Sequence, residues 1–228
     1  MTLQKSLYST LMITLLALPL GVSPAQGDDG YKPLFDGKTT QGWRGYFKEA
    51  VGKGWKVVNG ALVFDGSGGG DIATVKEYGN FILKFEWKVE AGSNSGLMYR
   101  VSLGDRAPYF SGPEYQILDD SKHRDGKNPK TSAGSLYALY EPKGKTLSKV
   151  GQWNTGKIML NGSKVEHWVN GKKVVDTDMS TDQWKTKVAQ SKFAKWEKFA
   201  KNSSGHIVLQ DHGDKVWYRN LEIKVLED

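Results

Sequence analysis

Two Asn-Gly pairs, Asn59-Gly60 and Asn170-Gly171, each lie between short runs of β-branched and aromatic residues. Such a pair supplies two adjacent residues that tolerate positive φ, which the tight turn between two antiparallel strands requires. Trp-Lys-Val-Val precedes the first pair and Ala-Leu-Val-Phe follows it; Val-Glu-His-Trp-Val and Lys-Lys-Val-Val-Asp flank the second. Both are predicted hairpins. Further β-rich runs cover 80–89, 96–101, 115–118, 135–140, 157–160, 205–210 and 216–225, separated by Gly, Asn and Pro. Strands at this spacing, in a chain of 228 residues with 27 glycines, predict an all-β sandwich or jelly roll. Only 181–201 reads as a helix, with Trp184, Val188, Trp196 and Phe199 as an apolar stripe that packs on the sandwich.

Residues 1–25 have the pattern of a secretory signal peptide: Lys5, an apolar run from Leu11 to Val22, then Ser-Pro-Ala ending at Ala25. The run is shorter than the roughly 20 residues that span a bilayer, so no stable membrane anchor is expected. The expectation is an exported protein, periplasmic or secreted, with 26–228 forming one domain. With no cysteine, the chain has no disulfide framework, thiolate metal site or cysteine nucleophile. The formal charge of +7 comes from scattered lysines rather than a basic face or a nucleic-acid motif. Solvated lysines account for it, and no nucleic acid is expected.

The informative residues are polar side chains on strands that otherwise alternate correctly. Glu114 and Gln116 share one face of their strand while Tyr115 and Ile117 share the other. Asn94 and Arg100 have one parity, Ser95 and Tyr99 the other. His206, Gln210 and His212 alternate with Ile207, Leu209 and Asp211, and His167 shares the apolar parity of Val165 and Val169, with Glu166 and Trp168 pointing the opposite way. Clusters of Glu, Gln, His, Arg and Asn suit a carbohydrate cleft, because sugar hydroxyls match planar hydrogen-bonding partners. Tyr137, Trp153 and Trp168 are read as core rather than sugar platforms, and His123 as part of a solvated turn. Asp119, Asp120 and Asp125 offer oxygen ligands at a spacing that matches no calcium loop.

These same segments resemble the family named for 3-keto-disaccharide hydrolase, also described as a 3-keto-glucoside 1,2-lyase and 3-keto-2-hydroxy-glucal hydratase domain. The resemblance rests on Leu34-Phe-Asp-Gly37, Asn80-Phe-Ile-Leu-Lys-Phe-Glu-Trp87, Asn94-Ser-Gly-Leu-Met-Tyr-Arg100 and Gly112-Pro-Glu-Tyr-Gln-Ile-Leu-Asp-Asp120. It continues through Glu166-His-Trp-Val-Asn-Gly171, Gly205-His-Ile-Val-Leu-Gln-Asp-His-Gly213 and Tyr218-Arg-Asn220. Gln152 departs from it, standing where the family more often has a carboxylate. The resemblance implies a concanavalin A-like jelly roll whose concave sheet binds a sugar, and the 181–201 segment is then its one peripheral helix. It also implies cleavage of glycosides oxidised to a ketone at carbon 3, by elimination followed by hydration. Glu114, His167, His206 and His212 are then the candidate acids and bases, and Asn94, Tyr99, Arg100, Gln116 and Gln210 the candidates for holding sugar oxygens. A divalent cation polarising the ketone would recruit the same His and carboxylate groups. A conventional glycoside hydrolase and a non-catalytic carbohydrate-binding module are the alternatives.

Overall fold

The computed structural model describes residues 29–227, so the leader expected at 1–25 lies outside the described residues. Among them are strands β1 (Lys32–Pro33), β2 (Trp43–Gly45), β3 (Trp55–Val58), β4 (Ala61–Phe64), β5 (Ile72–Thr74), β6 (Phe81–Val89) and β7 (Asn94–Val101). They continue with β8 (Glu114–Leu118), β9 (Asn154–Asn161), β10 (Lys164–Val169), β11 (Lys172–Asp178), β12 (His206–Leu209) and β13 (Val216–Val225). One sheet has the order β11-β10-β9-β6-β13-β4-β3, with β1 added beside β13; the other has the order β2-β5-β12-β7-β8. The two stack as a sandwich, and every pairing within them is antiparallel.

Both expected hairpins are present. Asn59 and Gly60 have φ of 50° and 75°, and Asn170 and Gly171 have 45° and 79°, so each turn uses the two left-handed residues that its sequence provides. In β6 the residues alternate strictly, with Phe81, Leu83, Phe85, Trp87 and Val89 buried between the sheets. The opposing sheet contributes Leu97, Tyr99, Tyr115, Ile117, Ile207 and Leu209 to the same core. Phe85 meets Tyr115 edge to face at 5.2 Å. Gly156, paired with Phe85, leaves the space that the ring fills, since a Cβ there would overlap it. Each such aromatic contributes on the order of 2–3 kcal/mol through burial, the stabilisation available to a fold with no covalent cross-links.

Two elements differ from expectation. The helix α1 covers Asp182–Ala189 only, and Lys192–Lys195 forms a separate 3-10 turn. Ser191 lies between them, and its hydroxyl accepts from the Phe193 N–H and so restarts the chain in a new direction. The apolar stripe still packs inward: Trp184 and Phe199 are buried, with Val188 and Trp196 against them. Residues 135–140 do not form a strand. Gly134 and Ala138, at φ of 81° and 59°, fold the segment back, leaving Leu136 in single bridges with Tyr115 and Tyr140.

Candidate active site

Strand β8 is buried along its full length, which requires cover on both of its faces. Tyr115 and Ile117 enter the core; Glu114 and Gln116 point to the other side, where the segments around Tyr109 and Lys192–Phe193 close over them. A cleft of about 220 Å³ remains, lined by Asn94, Tyr109, Glu114, Gln116, Tyr137, Lys192, Phe193, Gln210 and His212. It is smaller than the roughly 300–1,000 Å³ typical of drug-sized ligands and suits one sugar ring.

Glu114 occupies this cleft because Gly96, on the neighbouring strand, has no side chain. A Cβ at position 96 would overlap Glu114 Oε1 and lie 2.8 Å from Cδ and 3.0 Å from Cγ. Glu114 is 7 % exposed, and among the described residues no hydrogen bond from a protein donor stabilises its charge. Burial pushes its pKa up to about 8; Lys192 opposes the shift, while Asp71 and Asp125 add to it. Lys192 packs over the Tyr137 ring at 4.3 Å, and partial burial holds its pKa below the usual lysine range, with Glu114 and Asp125 opposing. Asp71, which accepts from the Asp211 N–H at 2.8 Å, is pushed to about 6, chiefly by burial.

Among the described residues, two acceptors at the cleft are orphaned: Asn94 Oδ1 and Gln210 Oε1 are buried without a donor. Such groups cost about 1–3 kcal/mol each when left unpaired, so they mark where a ligand's hydroxyls belong. Gln210 is held through its backbone: Ser95 Oγ donates to the Gln210 carbonyl at 2.8 Å and shares a second bond with Tyr218 Oη, across 115 residues of chain in the first case. His212, on the turn after β12, stands at the cleft wall beside His123 and Asp214.

The structure thus brings together Asn94, Glu114, Gln116, Gln210 and His212 from the sequence-derived set. It does not bring His167, Tyr99, Arg100 or His206 to this cleft. His167 faces the core, where Nδ1–H donates to the Gly134 carbonyl at 3.2 Å and Nε2 accepts from Tyr99 Oη at 3.0 Å. Burial lowers its pKa to about 4, so it is neutral at pH 7. Alternation placed it on an apolar face; that face turns out to be the interior. Arg100, on a residue with φ of 51°, reaches the Gly79 carbonyl and Asn80 Oδ1, each at 3.1 Å. His206 donates through Nδ1 to the Thr74 carbonyl at 2.7 Å and presents Nε2 to Glu77.

Sequence reasoning missed Tyr109, in a connecting segment without periodicity, and Lys192 and Phe193, which fall inside the span read as one helix but outside its apolar stripe. Tyr137, read there as core, stands in the cleft wall and donates to Asp125 Oδ2 at 3.2 Å. The remaining aspartates of its loop are occupied internally. Asp119 accepts from Ser121 and Gly92, and Asp120 pairs with Lys145.

A larger groove of about 600 Å³ crosses the outer face of the other sheet around Trp168. Its polar groups satisfy one another: Trp168 Nε1–H donates to Glu166 at 2.9 Å, Lys173 pairs with Glu166, and Lys157 covers the indole at 3.4 Å. The smaller cleft, with unpaired acceptors and a buried unpartnered acid, is the better candidate.

Comparison with known proteins gives this geometry its context. The chain is 37 % identical to a 3-keto-disaccharide hydrolase of Bacteroides thetaiotaomicron, over 87 % of this chain and 79 % of that protein. A crystal structure described as a glycosyl hydrolase from Parabacteroides distasonis superimposes with a TM-score of 0.81 at 36 % identity, covering 87 % of this chain and 94 % of the other. A carbohydrate-binding module of Bacillus subtilis, at 15 % identity and a TM-score of 0.50, covers 80 % of this chain and 95 % of its own and shares the fold alone. The family model described as the 3-keto-alpha-glucoside-1,2-lyase-like domain matches residues 30–224, and the chain belongs to that family.

Proposed function

We propose that this protein is a carbohydrate-active enzyme that cleaves glycosides already oxidised to a ketone at carbon 3, by elimination and then hydration, with hydrolysis as the net result. The observation that carries the reading is Glu114: a buried acid with a pKa of about 8, and the one carboxylate among the described residues lining the cleft. A conventional glycosidase needs two carboxyl groups flanking the bond, about 5–9.5 Å apart. Here Gln116 stands beside Glu114 on the same strand face. A 3-keto sugar needs less, because the ketone acidifies the hydrogen on carbon 2.

In this mechanism the Glu114 carboxylate takes the carbon 2 proton, and the electron pair moves into an enolate with its charge on the carbon 3 oxygen. The enolate collapses to the ketone, a carbon 1–carbon 2 double bond forms, and the bond from carbon 1 to the departing oxygen breaks. The new Glu114 acid gives its proton to that oxygen. Water then adds hydroxyl to carbon 1 and hydrogen to carbon 2. A carboxylate with a pKa of about 8 is a far stronger base than an exposed one, and about a tenth of it is ionised at pH 7. The amides of Asn94, Gln116 and Gln210 hold sugar oxygens, and the Lys192 ammonium favours the developing negative charge. Support for the substrate class comes from the family and from the named activity of the Bacteroides relative.

The test is incubation of a 3-keto-glucoside and its unoxidised parent with the enzyme in D₂O. The expected result is cleavage of the keto form alone, with one deuterium at carbon 2 of the sugar released at early times. Cleavage of both, or release without deuterium, overturns the reading. We also propose that 1–25 is removed and that the enzyme acts outside the cytoplasm; a mature protein recovered with Gln26 at its N-terminus is the expected outcome, and an intact leader refutes it.

A further inference from the structure

Three side chains with metal-ligating atoms from two separate loops meet beside the cleft, and His212 alone among them lines it. His123 comes from the turn after β8, and His212 and Asp214 from the turn between β12 and β13; one ligand atom from each lies within 4.8 Å of the other two. His212 Nδ1 is 4.0 Å from Asp214 Oδ2, and the two imidazoles stand nearly perpendicular, with centres 6.0 Å apart. Among the described residues, Asp214 has no lysine or arginine partner.

Asn94 supplies the independent observation. It is 1 % exposed, its backbone N–H donates to Asp214 Oδ2 at 3.0 Å, and its amide nitrogen faces His123 Nε2 at 3.4 Å. Its own Oδ1 is buried without a donor. His123 Nδ1 accepts the Asp125 N–H, which places the neutral ring's proton on Nε2, so that two donors face each other across that 3.4 Å contact. Turning the Asn94 amide end for end removes that donor–donor clash: the oxygen then faces His123 Nε2, beside the Asp214 carboxylate that the Asn94 backbone already binds, and the amide nitrogen turns to the cleft as a donor.

We propose that His123, His212 and Asp214, with the Asn94 amide oxygen, form a binding site for one divalent first-row transition ion. Two imidazoles with two oxygens select zinc, manganese, cobalt or iron(II) over magnesium and calcium, which prefer all-oxygen shells. Contraction from a 4.8 Å group to metal bonds of about 2.0–2.2 Å needs only side-chain rotation, and the half-exposed His212 has the room for it. Ligation through His123 Nε2 transfers its proton to Nδ1 and gives up the Asp125 contact. Because Asn94 and His212 also line the Glu114 cleft, the ion lies within reach of a sugar oxygen there. Its role, polarising the substrate's ketone, rests on the function proposed above, whereas its binding does not.

The experiment uses untagged, chelator-treated protein titrated with Zn²⁺, Mn²⁺ or Co²⁺ by calorimetry, with no sugar present. One equivalent binding at micromolar or lower Kd is expected. His212→Ala and Asp214→Asn should each weaken it at least tenfold while circular dichroism and Tm stay near the parent's. His123→Gln serves as the second variant should either fail to fold. Binding no tighter than millimolar, or stoichiometric binding that survives these substitutions, overturns the site. Tight binding in a protein that spares 3-keto-glycosides refutes the enzymatic reading and leaves the site standing. Full activity after the ion is removed refutes the role in catalysis.

Discussion

Gly96→Ala is the sharpest perturbation of the chemistry that removes no polar group. The added methyl would overlap Glu114 Oε1 and stand 2.8 Å from Cδ, where ordinary contact needs about 3.5 Å, so the carboxyl must swing away by an ångström or so. The open side of the cleft can accept it, which keeps the loss of stability toward the low end of the roughly 1–3 kcal/mol expected for overpacking. Activity has no such relief. Misplacement of a reacting group by about 1 Å costs on the order of 10²-fold, or about 2.7 kcal/mol in the barrier. The assay is kcat/KM on a 3-keto-glucoside with thermal melting in parallel. About a hundredfold loss in rate, carried mainly by kcat, with a Tm drop of only a few degrees is the expected pattern. The double variant Gly96→Ala/Glu114→Ala should melt no lower than Glu114→Ala alone, because the clash goes with the carboxyl. Wild-type kcat in Gly96→Ala would show that Glu114 is not held by the missing side chain, and the account of the site would fail with it.

Raised from 4.5 to about 8, the Glu114 pKa makes the folded state bind its proton more tightly than the unfolded chain does, so stability falls as pH rises through that window and levels off above it. Glu114→Gln should remove that slope, gaining up to a few kcal/mol over the parent between pH 5 and 8.5 in chemical denaturation; parallel pH profiles would refute the shift. The same ionisation predicts that kcat/KM rises with pH and flattens near 8, and a rate that falls over that range would make Glu114 an acid rather than a base. Tyr109, 38 % exposed at the cleft mouth and backed by Phe110 and Trp196, should stack the second ring of a disaccharide. Tyr109→Ala is expected to raise KM for keto-disaccharides about tenfold and leave a methyl keto-glycoside unchanged, with Tyr109→Trp restoring the difference. His167→Ala, which leaves a core cavity and strips Tyr99 of its partner, should cost about 2–4 kcal/mol in stability while kcat survives; loss of kcat without loss of stability would restore it as a catalytic group.

The hairpins were legible because two local dipeptides determine them, and the strand faces because period-2 alternation is a local property of the backbone. Parity separates the two faces of a strand without saying which one looks inward. Glu114 and Gln116 on one strand and His167 on another carry the same polar signature, yet only the former face the cleft; His167 uses its polarity to bind Tyr99 and Gly134 inside the sandwich. Tyr109, Lys192 and Phe193 were invisible for a different reason. They lie on short 3-10 turns, the second inside the span read as one helix, and their approach to β8 depends on the packing of Phe110 on Trp196, distant in sequence, with Phe193 against the same indole. Family resemblance supplied the chemistry that neither periodicity nor composition carries.

The bond from Ser95 Oγ to the Gln210 carbonyl joins strands separated by 115 residues, and the same hydroxyl meets Tyr218 on the opposite sheet. The floor of the cleft therefore exists only when the last strands have inserted between those formed early in the chain. Synthesis and refolding must close the largest loops in the topology before any of this chemistry is possible, a slow, high-contact-order step. Recovery of catalytic activity after dilution from denaturant would time the completion of the whole sandwich, and a nascent chain released before β12 would carry Glu114 without Gln210 and His212 on the cleft wall.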